Sequence, residues 1–157
     1  MKRLMSALGW AVLPLCAAAA EVVEYPEGYR NWTHVKSMVI EQGHALYESF
    51  GGIHHIYANE SALRGYRAGE FPDGSVLVFD LLEAQAEDHA LVEGPRKVLG
   101  VMVKDRTRFA ATGGWGFEGF AGGDPNQRVV ADKAAEACFA CHAQQRERDY
   151  VFSSWRD

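Results

Sequence analysis

The chain has 157 residues, 48% of them hydrophobic and 24% charged, with a formal net charge of -5. That is a globular composition of one domain's length, and the acidic balance excludes the clustered basic face that nucleic-acid binding requires. Glycine, at 16 residues, exceeds the usual roughly 7%, which announces frequent turns and close backbone approaches.

Residues 1–20 read as an address. Lys2 and Arg3 precede an apolar stretch from Leu4 to Leu15, and four alanines, Ala17 to Ala20, end it before Glu21. This is the pattern of a secretory signal peptide with an A-x-A cleavage site. The stretch falls short of the roughly 20 apolar residues a spanning helix needs, so the mature protein is expected to be exported, periplasmic and without a membrane span. A lipid anchor on Cys16 would need a small residue where Leu15 stands. Cleavage after Ala20 removes Cys16 and leaves Cys138 and Cys141 in residues 21–157, which are expected to form one domain.

Residues 31–42 and 53–58 carry strand-like patterns. Asn59 is a suitable N-cap for a helix over Ser61 to Arg67 that Gly69 stops. Phe71-Pro72-Asp73-Gly74 is a turn, with proline fixing one dihedral and glycine supplying a positive one. It launches Ser75 to Leu82, the most strand-like run of the chain. In that run Leu77, Phe79 and Leu81 share one face while Val76, Val78 and Asp80 share the other. Val98 to Val103 and Trp115 to Phe120 follow as strands, and Ala131 to Gln145 reads as helix, with Asp132 in its first turn. The expected fold is α+β: about five mainly antiparallel strands with packed helices, the last helix carrying the cysteine pair.

Cys138-Phe139-Ala140-Cys141-His142 is C-x-x-C-H, the attachment signature of c-type haem. On a helix, two thiols at that spacing reach the two vinyl groups of one porphyrin as thioethers, and the adjacent histidine then lies under the iron. Three other readings use the same cysteines. A thioredoxin-like pair sits at the start of a helix after an early strand. Structural zinc needs four ligands, and a structural disulfide across two residues closes a small, strained loop.

A sixth iron ligand would make the protein an electron carrier, whereas an open position admits ligand binding or catalysis. Met38 and Met102, the methionines left after cleavage, lie within strands and read as core packing. His54 and His55 are adjacent on a strand, so only one of them faces a given side; either is a candidate for the distal side of the haem. Phe79 is a large ring on an apolar face, readable as core or as pocket wall, and Trp115 with Phe117 forms a second aromatic stripe.

These pieces come in a recognisable order: Tyr29-Arg30-Asn31-Trp32, His55-Ile56-Tyr57, Gly69-Glu70-Phe71-Pro72-Asp73-Gly74-Ser75-Val76, Val103-Lys104-Asp105 with Arg108-Phe109, Gly114-Trp115-Gly116-Phe117, the C-x-x-C-H, and Val151-Phe152. The chain resembles the cytochrome P-460 family over essentially its whole mature length. The resemblance implies an antiparallel sheet carrying one covalent haem c, usually in a homodimer. It also implies Cys138 and Cys141 as anchors, His142 as proximal iron ligand and an open distal side. Family members that oxidise hydroxylamine carry a lysine, joined to the porphyrin edge, on the strand after the G-E-F turn. Here that position falls on Phe79, and the strand has no lysine. The resemblance therefore points to the cytochromes c′-beta, which lack the cross-link, place phenylalanine over the distal face and bind nitric oxide or carbon monoxide. Hydroxylamine oxidation and simple electron carriage, with a redox partner protein, stand as the alternatives.

Overall fold

The computed structural model describes residues 22–156, so the expected signal segment lies outside the described residues. Five strands form one antiparallel sheet in sequence order: β1 (Thr33–Ile40), β2 (Gly52–Ala58), β3 (Val76–Glu87), β4 (Ala90–Lys104) and β5 (Trp115–Ala121). Helix α1 (Tyr47–Phe50) precedes β2, and α2 (Glu60–Ala68) links β2 to β3. Among the described residues no helix is long and apolar enough to cross a membrane. The α+β expectation holds.

Local chemistry sets the boundaries of α2. The Asn59 side-chain oxygen accepts from the backbone N–H of Ala62 at 2.9 Å and of Val76 at 3.1 Å, which satisfies an otherwise orphaned helical donor. Gly69 ends the helix in the left-handed region at φ 81°, where a residue without Cβ is unstrained. The following turn closes with the Ser75 N–H donating to Pro72 O at 3.1 Å.

Alternation along the strands divides the core between two faces. On the first, Val35, Leu77, Trp115 and Phe117 pack with Ala62 of α2, Phe71 and Val151, and Cys138 and Phe139 lie against them. On the second, Val78, Leu99, Val101 and Phe120 pack beneath Val23, Tyr29 and Phe109. Burying each large apolar side chain contributes about 1.5–3 kcal/mol. The pairing of β1 with β2 slips between His34 and Lys36. This bulge lets Val35, 0% exposed, enter the first face.

Two elements differ from expectation. β3 and β4 continue past the expected ends as a ribbon closed by Asp88 and His89, whose φ of 44° and 62° give the paired positive dihedrals of a two-residue hairpin. Its side chains from Glu83 to Leu91 are exposed, so neither face left the alternation that marks a half-buried strand. The C-terminal segment is helical but not one regular helix: a 3-10 turn at Ala131–Lys133, a π turn at Ala135–Phe139, α3 (Ala140–His142) and a 3-10 stretch at Ala143–Arg148. Helix propensity favours an unbroken helix there, and tertiary contacts override it. Ala131 has φ 48°, and the Glu118 carboxylate accepts from the N–H groups of Val130 and Ala131, which fixes where the segment starts.

Candidate haem site

The C-terminal segment lies on the first face of the sheet. Its π turn, in which Ala140 N–H reaches Ala135 O, runs into the start of the C-x-x-C-H at Cys138 and Phe139; single π turns of this kind concentrate at functional sites. Cys138 is partly buried against the core and Cys141 is exposed, and both are free thiols. Burial, then the Glu118 carboxylate and Cys141, push the Cys138 thiol up to about 11. A redox pair of the thioredoxin kind needs the opposite shift. Among the described residues, no three His, Cys, Asp or Glu side chains converge as a metal site.

His142 is held from three sides. Its Nδ1 lies 2.7 Å from Tyr150 O, and its ring packs 5.0 Å from Phe117 and 5.1 Å from Phe152. A carbonyl only accepts, so Nδ1 carries the proton and donates, leaving the lone pair on Nε2. Burial lowers the basicity of the ring and the Tyr150 carbonyl partly opposes this, which favours the neutral form that binds metal. A hydrogen bond of this kind at one ring nitrogen fixes the orientation in which the other can meet a metal.

Phe79 is half-buried and shares the face of Leu77. Its ring lies 4.6 Å from that of His54 and meets Phe50, the last residue of α1, edge-on at 5.8 Å. Phe50 was not legible in the sequence. The one signal is an aromatic ring just before Gly51-Gly52, and only the packing of α1 shows where that ring goes.

The two adjacent histidines separate as alternation requires. His54 shares the face of Phe79, is 6% exposed, and has an Nδ1 without a hydrogen-bond partner. Burial, reinforced by His55, lowers it to about 4. His55 turns to the second face, where Nδ1 meets Ser37 Oγ at 2.6 Å and Nε2 meets Glu93 Oε1 at 2.6 Å. It is therefore His54 that stands on the side of Cys138 and His142.

Met102 packs against the first-face core, as expected, whereas Met38 is 47% exposed, because it lies on the edge strand β1 with nothing packed over it. Three lysines are engaged elsewhere: Lys36 with Ser154 Oγ, Lys97 with Gly51 O, and Lys104 with Asp149. A hollow lined by Tyr25, Trp32, Val76 and Val103 lies on the second face, away from the C-x-x-C-H.

The residues present fit a haem. There is a cysteine pair at attachment spacing, a histidine whose free nitrogen is the metal-binding one, and a buried imidazole with an unsatisfied nitrogen beside an aromatic ring on the same face. No curated protein matches the chain. The Cytochrome P460 family model matches residues 26–153, nearly all of the described chain, and so this haem-binding cytochrome belongs to the cytochrome P460 family.

Proposed function

We propose that the chain is an exported, periplasmic c-type cytochrome with a single haem, joined through Cys138 and Cys141 and ligated by His142, whose distal side binds nitric oxide or a related small ligand. When bound, the haem supplies an iron with one position free for a diatomic molecule. The observation that carries the reading is Phe79, with Phe50 against it, where hydroxylamine-oxidising relatives carry the cross-linking lysine. Two aromatic rings offer an apolar surface and no strong hydrogen bond, so a neutral diatomic is favoured over a polar or anionic ligand. His142 fixes the proximal side through its bond to Tyr150 O. The family resemblance further suggests a homodimer.

His54 supports a second reading. A buried imidazole with an unpartnered nitrogen on the distal face is the group a P-460-type oxidase would use to handle a polar nitrogen substrate such as hydroxylamine. Absorption spectra of the exported protein, ferric and then reduced without oxygen, with nitric oxide added last, separate the two. A high-spin ferrous form with an ordinary c-type Soret band that converts on adding nitric oxide supports the first. A strongly red-shifted ferrous Soret, with turnover of hydroxylamine by an artificial acceptor, supports the second and overturns the first.

A further inference from the structure

The carbonyl that holds His142 stands on unusual backbone. Asp149 and Tyr150 are consecutive non-glycine residues with φ of 50° and 66°, a conformation that L residues adopt singly and seldom in succession. Such strain persists only where surrounding contacts over-determine it. Here the contacts converge on Asp149. Its carboxylate accepts from Lys104 Nζ at 2.6 Å and from Phe71 N–H at 2.8 Å, and its carbonyl accepts from Trp115 Nε1 at 2.8 Å.

Lys104 is committed to this turn. It is 2% exposed, also donates to Gly113 O at 3.1 Å, and lies 4.9 Å over the Trp115 ring. Gly113 has a packing reason of its own, since a Cβ there would stand 2.4 Å from the Tyr150 ring. A buried ion pair is a poor way to gain stability alone, because an apolar pair of similar volume does as well or better. What this pair does is hold a strained turn in one geometry, and that geometry aims Tyr150 O at His142 Nδ1.

We propose that Lys104 and Asp149 are positioning residues for the axial histidine, setting the strength of the His142–Tyr150 hydrogen bond and through it the electron donation of His142 to the iron. This rests on the haem reading above. A firm Nδ1–H···O=C bond makes the imidazole more basic and favours the ferric state. Loosening the turn weakens the bond, so the iron–histidine stretching frequency falls and the reduction potential rises.

The test uses the haem-loaded protein, with the double variant Lys104→Met/Asp149→Asn and the single variant Trp115→Phe. The double variant leaves no unpaired buried charge, and the single one keeps a ring while deleting the N–H that holds Asp149 O. Covalent haem content, the ferrous iron–histidine stretch by resonance Raman and the reduction potential are read for each. The expected result is retained haem, a lower stretch and a higher potential, with Trp115→Phe shifted in the same direction by less. Haem-loaded variants with the wild-type stretch and potential overturn the positioning role and leave the haem assignment standing. Should the double variant not fold, Trp115→Phe alone decides. A wild-type protein carrying no covalent haem overturns both readings together.

Discussion

The two faces of the sheet treat neighbouring residues in opposite ways, and His54 and His55 make the contrast sharpest. His55, on the second face, spends both ring nitrogens on Ser37 and Glu93. One residue earlier, His54 is more deeply buried and has a nitrogen with no partner. The second face extends the pattern: buried Asp80 accepts from Tyr29 OH and from Arg96. Polar groups are satisfied there, as buried polar groups ordinarily are. On the first face the His54 imidazole keeps an unpartnered nitrogen beside Phe79, on the same side of the sheet as the C-x-x-C-H.

The largest expected effect is at His142. On the proposed reading, His142→Ala removes the proximal ligand, and the ferrous spectrum loses its wild-type Soret position even where Cys138 and Cys141 still hold the haem. Asp80→Ala should strike the other face alone. It leaves Arg96 and Tyr29 without their buried partner and costs about 3–5 kcal/mol in urea unfolding, with the spectrum of the folded protein unchanged. A spectrum that moved with Asp80 would break the separation of the faces.

His54 gives a pH dependence whose sign is fixed. Its folded-state pKa is depressed to about 4 from the ordinary 6.5, so the unfolded chain takes up a proton at higher pH than the folded one. Its contribution is therefore whole above pH 6.5 and is lost as pH falls toward 4, amounting to about 3 kcal/mol at the acid end. His54→Leu should flatten that acid limb in denaturation series run between those pH values, and an unaltered limb would show that His54 is not the group responsible.

Phe79→Ala opens the aromatic pair, and nitric oxide association followed by stopped flow should quicken about tenfold, the consequence of lowering an entry barrier by about 1.4 kcal/mol. Unchanged ligand kinetics would remove Phe79 from the distal side. The smallest effect belongs to His55→Ala, about 1 kcal/mol or less, because its Glu93 partner is 55% exposed and such pairs are weak. Ligand kinetics should be untouched.

Much of the fold was legible because it is local. The Asn59 cap, the Gly69 stop, the Phe71–Gly74 turn and the alternation of Val76 to Leu82 are short-range geometry, and each stands where the pattern put it. The far half of the β3–β4 ribbon was not legible, since exposed strands carry no alternation. The regular helix expected over Ala131 to Gln145 is instead a succession of 3-10, π and α turns packed against the first-face core, where Ala134, Cys138, Phe139 and Tyr150 lie against residues from other strands that the local pattern does not record.

The same division runs through the site. Spacing alone picked out Cys138, Cys141 and His142 as a C-x-x-C-H, and pleat geometry alone determined that His54 and His55 point apart. Which of the two faces the motif, that Phe50 leans on Phe79, and that a clamped turn offers Tyr150 O to His142 were decided by tertiary structure. A period of two separates the faces of a strand but does not say what covers them. That depends on contacts between residues far apart in the chain, which no local pattern records.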